Sequence, residues 1–359
     1  MKYLNALNKI QGVGPQKMKM LLDFFETPEN VWNANLEDLK KSGIQEKLAE
    51  KIFEEKTKIN PDEEMEKLKK ENISIITLSD ENYPKLLKEI PNPPYILYVK
   101  GSDFDFNAQP MVAVVGSRKF TQYGSQVATS FSRDLARSGI AVVSGMALGI
   151  DAIAHSGALD AGGKTFAVLG SSLEDANIGP RTNFELSRRI MDSGALISEF
   201  PLGIASTPQN FPARNRIMAG MSLGTLVVEA AEDSGSIITA NLALEFNREV
   251  FAVPGSIFSP VSTGVHKLIK SGAKMATSVK DILEELRVEE KANFEKAKSS
   301  IPATTEEEKI LKLLSHEPLH IDKLAKMSKL ETSATSSALM ILEIKGMVKN
   351  IGGQNYIII

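Results

Sequence analysis

The stretch FPARNRIMAG, which begins at Phe211, places two arginines and an asparagine directly before an apolar run. Burying a guanidinium without a partner is costly, because its charge loses its hydration. A guanidinium can instead bind a phosphate through two parallel hydrogen bonds or stack on a flat ring. Arg214, Asn215 and Arg216 are therefore candidate ligands for a polyanion, and Phe211 is a candidate stacking residue. The alternative is structural: one arginine caps a strand end or pairs with Glu199.

The elements that must position these residues are visible in the middle of the chain. Short apolar, mostly β-branched runs lie between residues 111 and 255 and alternate with helical patterns: MVAVVG, IAVVSG, TFAVLG, ALISEF, TLVVEA and EVFAVPG. Such runs separated by helices are typical of a parallel sheet covered on both faces. The sequence thus predicts an extended Rossmann-like, doubly wound α/β domain, in which ligands bind beyond the carboxyl ends of the strands.

The residues that follow these strands carry groups suited to anion binding. Glycine lets a backbone approach a ligand, and free N–H groups at a helix start attract negative charge. Single turns often contain Gly or Ser for geometric reasons alone, so the convergence of several loops on one sheet edge carries the assignment. Besides the arginine stretch, the candidate phosphate-binding edge includes Gly116, Ser117, Arg118, Gly145, Ser234, Gly235 and Ser236.

Common catalytic and cofactor signatures are missing from the sequence. No G-x-G-x-x-G follows the first strand, and the lysine motif of phosphate-binding P-loops is absent. The chain has no cysteine and four histidines, which leaves little for a metal site. Asp151 and His155 are spaced to meet on one helix face, but a hydrogen-bonded packing role for His155 is the favoured interpretation. We therefore expect no cofactor, no metal and no catalytic residues.

Charge and hydropathy restrict the classes of partner. Lys and Arg number 42 against 45 Asp and Glu, a formal net charge of −3, so any polyanion site must be a local patch. No apolar run suits a signal peptide or a membrane span. We expect a soluble cytoplasmic protein without a membrane partner.

Smaller segments flank the predicted Rossmann-like domain, which takes up residues 71–287. Residues 1–70 are helical in pattern, and IQGVGPQKMKM resembles the hairpin of a helix-hairpin-helix. There Lys17 or Lys19 could lie beside a phosphate, although such hairpins also serve as packing modules. Residues 288–305 are expected to form a linker, and residues 306–359 a winged helix. Its presumed recognition helix is rich in hydroxyls and lacks basic residues, so we expect it to contribute little to single-strand binding.

The order of motifs resembles one family. Gly116-Ser117-Arg118, SGMALGIDAIAH, ISEFPLG, FPARNRIMAG, VVEAAEDSGSIITANLALE and VFAVPGS closely resemble the DNA-processing protein A family, DprA or Smf, over residues 73–287. The resemblance implies a homodimeric protein that binds single-stranded DNA with little sequence preference. It also implies that the protein helps to load RecA recombinase on incoming strands during natural transformation. Arg118 falls in the family's basic DNA pocket, whereas DNA contact by Arg214 and Arg216 is our physical inference.

The segment VHKLIKSGAKMATSV, residues 265–279, is the candidate dimer interface. In the resembling family the Rossmann-like domain forms the dimer near this end. We predict a symmetric homodimer whose interface includes Val265, Leu268, Ile269 and Met275.

An enzyme is the alternative. The segment SLGTLVVEA resembles the Gly-Thr-x-x-Glu segment of phosphoribohydrolases, which share this fold and release bases from nucleoside monophosphates. Glu229 is present, but Gly220, Met221 and Ser222 stand where those enzymes have Pro-Gly-Gly. Two side chains there would keep a phosphate from the backbone, which disfavours this alternative.

Overall fold

A computed structural model describes residues 1–101, 105–288, 304–315, 317–344 and 347–358. The chain separates into two compact units, Met1–Glu290 and Lys291–Ile359. Most of the expected linker, residues 289–303, lies outside the described residues. No helix in the described ranges is both long and apolar enough to cross a membrane.

The first unit begins with short helices that form the predicted helix-hairpin-helix region. They are α1 (Lys2–Asn8), α2 (Pro15–Phe25), α3 (Pro28–Asn33), α4 (Leu36–Lys41), α5 (Glu46–Glu55) and α6 (Pro61–Lys70). Capping residues mark the starts of two of these helices. The Thr27 side chain accepts a hydrogen bond from the Asn30 amide at the start of α3, and the Asn35 side chain accepts one from the Asp38 amide at the start of α4. The hairpin between α1 and α2 turns at Gly12, whose φ of 103° suits glycine.

A mixed sheet, nine-stranded within the described residues, forms the centre of this unit. Its strands are β1 (Ser74–Thr77), β2 (Ile96–Gly101), β3 (Met111–Val115), β4 (Ala141–Ser144), β5 (Thr165–Val168), β6 (Ala195–Ser198), β7 (Gly224–Val227), β8 (Glu249–Ala252) and β9 (Lys274–Met275). The spatial order is β1-β2-β6-β5-β4-β3-β7-β8-β9. Strands β3 to β9 are parallel, which confirms the doubly wound prediction. Strands β1 and β2 add an antiparallel edge that the apolar-run pattern did not predict.

Helices cover both faces of the sheet. They are α7 (Lys85–Lys88), α8 (Gln122–Arg137), α9 (Ile150–Asp160), α10 (Phe184–Ser193), α11 (Asn210–Met221), α12 (Gly235–Glu245), α13 (Thr263–Lys270) and α14 (Val279–Leu286). Alternate residues of one strand enter different cores: Val114 packs with α8 and α9 residues, whereas Val115 packs in the core that includes α11 and α12.

The N-terminal helices share a core with the sheet. Leu7 and Leu21 belong to the same buried cluster as Tyr98 of β2 and Leu196 of β6. The Tyr98 hydroxyl also donates a hydrogen bond to the Asn5 side chain at 2.7 Å. Residues 1–70 are therefore packed into the first unit.

The second unit has the predicted winged-helix topology. Its helices are α15 (Thr305–Leu313), α16 (Ile321–Ser328) and α17 (Thr332–Ile344), and its strands are β10 (Leu319–His320), β11 (Val348–Asn350) and β12 (Asn355–Ile358). The wing between β11 and β12 turns at Gly352 and Gly353, both with positive φ.

Candidate nucleic-acid interface

A groove of about 580 Å³ lies at the carboxyl ends of β3, β4 and β7. The loops after these strands and the start of α11 form its walls. Most of the residues predicted for the phosphate-binding edge line it: Gly116, Ser117, Arg118, Phe211, Arg214, Asn215, Ser234, Gly235 and Ser236. Gly145 lines an adjoining cavity of about 220 Å³, which shares Arg118, Phe211 and Arg214 with the groove.

Arg118 is the exposed guanidinium of this groove. It lies over the Phe211 ring, 5.2 Å from the ring centroid, and forms no ion pair or hydrogen bond within the described residues. The Ser117 hydroxyl donates to the Lys119 carbonyl and accepts from the Lys119 amide, which fixes the turn that carries Arg118. A stacked guanidinium without a carboxylate partner can accept a phosphate at little cost.

The loop after β4 packs directly on the Arg118 turn. Gly149, with a φ of 87°, lies against the Ser117 carbonyl and the Arg118 backbone, so that any side chain there would collide. Met146 also has a positive φ, 53°, which is unfavourable for its side chain. The Asn183 side chain supports this conformation by donating to the Met146 and Ala147 carbonyls at 2.9 and 3.3 Å. No motif or spacing in the sequence indicated this supporting role of Asn183.

Arg214 is buried and has a structural role. Its Nη1 donates to the carbonyls of Gly145 and Val168 at 2.6 and 2.7 Å, so it caps the ends of β4 and β5. Its Nε donates to Asn215 Oδ1 at 3.0 Å. Burial lowers the pKa of Arg214, and the nearby Asp151 carboxylate opposes that shift. Capping a strand end was the structural alternative for this arginine.

Arg216 points away from the groove. Residues two apart on an α-helix lie about 200° apart around the axis, and both arginines are on α11. Arg216 donates to the Asn92 carbonyl at 2.7 Å and pairs with the Glu199 carboxylate. The expectation that Arg118, Arg214 and Arg216 line one groove is therefore corrected, since Arg216 occupies the opposite side of its helix.

Two predicted glycines have packing roles. A side chain on Gly145 would collide with the Arg214 guanidinium. One on Gly116 would lie 2.8 Å from the Ile150 side chain, too close for normal packing. At both positions a neighbouring side chain of the protein occupies the space next to the glycine, so packing alone accounts for the glycine and no ligand is needed.

The start of α12 presents hydroxyl groups to the groove. Ser234 is the N-cap residue, and its hydroxyl lies 2.7 Å from that of Ser236. Gly235 is exposed, and a side chain there would meet open space. The exposed Asp233 carboxylate lies beside them in the groove and opposes an anion. Charge in the groove is thus nearly balanced, with Arg118 and Lys119 as its exposed cations.

Asp151 and His155 do not form an acid–base pair with each other in this structure. Burial raises the pKa of Asp151, which accepts a hydrogen bond from the Ala147 amide. His155 Nδ1 lies 2.7 Å from the Thr165 hydroxyl, and burial lowers the pKa of His155 to about 3. Its imidazole is therefore neutral, which confirms the packing interpretation.

The hairpin lysines lie apart from the groove. Lys19 pairs with Asp23 at 2.7 Å, and Lys17 is half-buried with its Nζ 3.7 Å from the Met20 sulfur. The start of α2 faces a small cavity that is also lined by Tyr95 and by Glu199, the partner of Arg216. These contacts weigh against the predicted secondary DNA site.

The candidate dimer segment is partly internal. Val265 and Leu268 are buried in the core of the subunit, and Ile269 packs against the same core. Met275 is 54 % exposed. Of the four residues predicted at the interface, Met275 is therefore the one with a largely free side chain.

The segment that suggested an enzyme is part of the sheet. Gly224 and Thr225 begin β7 and are paired with β3 and β8 on either side, so their backbone does not form a phosphate loop. The Glu229 carboxylate accepts hydrogen bonds from the Thr121 amide and hydroxyl at 2.9 and 2.6 Å, which fixes the start of α8. Glu229 thus has a structural role.

Fold and groove together define a Rossmann-like α/β protein with a groove at the carboxyl edge of its sheet. In the sequence, a helix-hairpin-helix segment precedes this domain and a winged-helix segment follows it. Residues 74–287 match the family described as DNA recombination-mediator protein A, and the chain belongs to this family. Residues 4–55 match a SAM-like helix-hairpin-helix tandem, and residues 294–354 the DprA winged helix domain.

Relatives of this family are similar over most of the chain. Protein Smf of Synechocystis is 35 % identical over 99 % of this chain and 98 % of its own length. The crystal structure of DprA from Streptococcus pneumoniae superposes with a TM-score of 0.69 at 34 % identity, covering 79 % of this chain and 98 % of that one. DprA from Helicobacter pylori, a structure described for its single-stranded DNA binding mode, gives a TM-score of 0.54 at 29 % identity, covering 60 % and 95 %.

Proposed function

We propose that this protein binds single-stranded DNA along the groove at the carboxyl edge of the sheet and helps to load RecA during natural transformation. The observation that carries DNA binding is the Arg118 guanidinium, which lies over Phe211 and forms no ion pair with a carboxylate among the described residues. A guanidinium for phosphate beside an aromatic ring for bases is the combination that single strands require. Single-stranded DNA binding by the Helicobacter pylori relative supports the proposal.

The remaining parts of the proposal follow from the family resemblance. The protein would act as a homodimer, by binding DNA and not by catalysis, and in the cytoplasm, where RecA acts. Arg214 would act indirectly by holding the ends of β4 and β5, while Arg118 and Phe211 would contact the strand. In the assembly, exposed Met275 would contribute to the symmetric interface, so that Met275→Arg should lower the mass measured by light scattering from dimer to monomer.

A gel-shift comparison tests the function. The full chain is incubated with a single strand, or with the duplex of the same sequence, with and without RecA. We expect a shift of the single strand at protein concentrations that leave the duplex free, and a larger complex when RecA is added. Equal affinity for the duplex would contradict the proposal. Release of free base from nucleoside monophosphates would support the enzyme alternative instead.

A further inference from the structure

An exposed aromatic patch flanks the groove on its β8 side. Phe120 and Tyr123 follow β3, whereas Ile257 and Phe258 follow β8. Only β7 lies between these two parallel strands, so both loops are at the same edge of the sheet. Phe258 is 90 % and Ile257 77 % exposed, the largest values for big apolar side chains among the described residues. Hydrophobic side chains grouped in this way mark binding surfaces.

The two loops are tied to each other and to the body of the unit. The Tyr123 hydroxyl donates to the Pro254 carbonyl at 2.7 Å, across the cleft between the loops. His266 Nε2 lies 3.0 Å from the Gly255 carbonyl, and the Phe258 amide donates to the Ser256 hydroxyl at 3.3 Å. The backbone of the turn that carries Phe258 is therefore held by hydrogen bonds, while the Phe258 ring remains open to a flat partner.

The cleft between the loops has a volume of about 410 Å³, and residues that line it are close in sequence to residues that line the groove. Lys119 lines the groove and Phe120 is the next residue, while Val261 lines the groove three residues after Phe258. Glu229 lines the cleft, and its carboxylate disfavours a phosphate there. An uncharged nucleobase meets no such penalty.

We propose that Tyr123 and Phe258 extend the DNA path by stacking on bases of a strand whose backbone contacts Arg118. This inference rests on the proposed single-strand binding. The patch would supply affinity without phosphate contacts, because its exposed groups are rings and aliphatic chains. A strand long enough to leave the groove would use it, whereas a short strand would not.

The test measures the affinity of the full chain for oligothymidylates by fluorescence anisotropy. Lengths of about 5 and about 16 nucleotides bracket the usual site sizes of single-strand binders. We expect Phe258→Ala to weaken binding of the long strand by about fivefold or more, the lower end of one lost base stack. The short strand should bind as before, and the salt dependence should not change, because no phosphate contact is lost. Since Phe258 is almost fully exposed, the variant should fold normally.

Matched variants and strands identify the ring as the cause. Phe258→Trp should keep wild-type affinity, and Ile257→Ala, its aliphatic neighbour, should have a smaller effect than Phe258→Ala. A long strand with abasic sites outside the groove-binding segment should bind the wild type and Phe258→Ala equally. Unchanged affinity of Phe258→Ala for the long strand would overturn the inference, as would an equal loss on the abasic strand. If Phe258→Ala without DNA had a lower mass in solution than the wild type, the inference would also be overturned, because Phe258 would then belong to a contact between subunits. If the wild-type protein binds neither the long nor the short strand, the proposed function itself fails.

Discussion

The Arg214 guanidinium occupies the space that a side chain on Gly145 would need, and it holds the Gly145 carbonyl at 2.6 Å. These two residues are 69 positions apart in the sequence and form one structural device. It joins the end of β4 to α11 and leaves Arg118 and Lys119 as the exposed cations of the groove.

We predict that Gly145→Ala lowers stability by about 1–3 kcal/mol, because the added methyl group displaces a guanidinium in a packed site. Urea unfolding gives the loss. Gly235→Ala is the matched control, since its methyl group would meet open space at the start of α12. Equal stability of the two variants would show that Arg214 can move to admit the methyl group without a loss of stability.

Arg118→Ala should weaken single-strand binding while leaving the free energy of unfolding within about 1 kcal/mol, since Arg118 is exposed and forms no ion pair with the part of the chain that the structure describes. The slope of log affinity against log salt should fall by about 0.7, the contribution of one phosphate contact. Arg118→Lys keeps the charge and should retain the slope. An unchanged slope in the alanine variant would place the strand elsewhere.

Arg214→Met and Arg216→Met should show the opposite pattern. The first leaves two carbonyls without a donor and should cost about 2–4 kcal/mol of stability. The second leaves the Glu199 carboxylate buried without its counter-ion, for a loss of about 3–5 kcal/mol. Among molecules that remain folded, neither variant should change the salt slope of binding. A flatter slope with normal unfolding would make that arginine a DNA contact after all.

His155 should make stability dependent on pH. Its pKa falls from 6.5 to about 3 on folding, so below pH 6.5 the unfolded chain binds a proton that the folded chain does not. The contribution of neutral His155 to the free energy of unfolding is therefore complete above pH 6.5 and is lost as the pH falls toward 3. Between pH 7 and pH 5 the loss should be about 2 kcal/mol. In His155→Gln, the decrease in unfolding free energy over that interval should be smaller by this amount. The loss of packing caused by the substitution is measured separately, as the stability of the variant at pH 7. If stability decreased between pH 7 and pH 5 by the same amount in the variant and the wild type, the prediction would be wrong.

Removal of the winged helix should change single-strand affinity less than tenfold. The exposed residues at the start of α17 include Ser333, Ser336 and Ser337, and Met340 and Ile341 follow, so the described residues of this helix offer a strand no cation. The comparison is between the full chain and one ending at Leu286, within the first compact unit. A loss of tenfold or more, about 1.4 kcal/mol, would assign the winged helix to the DNA site.

Periodicity predicted the parallel strands and their ligand edge because buried strands are continuous apolar runs. It also brought Arg118, Phe211 and Ser234 to one edge, since parallel strands end together. The direction of Arg214 and Arg216 could not be obtained in this way. It depends on α11 beginning at Asn210, which turns one arginine toward β4 and the other toward Glu199. Gly145 looked like a residue for ligand approach because its close neighbour, Arg214, is remote in sequence.

The core shared by the N-terminal helices and the sheet restricts how this chain can be rearranged by gene shuffling. Leu7 and Leu21 cover apolar surface on β2 and β6, so an exchange that replaced residues 1–70 would have to reproduce that surface. The winged helix is a separate compact unit with a buried cluster of its own, which includes Ile310, Leu324 and Leu339. Changes of accessory module during descent should therefore be easier at the carboxyl end than at the amino end.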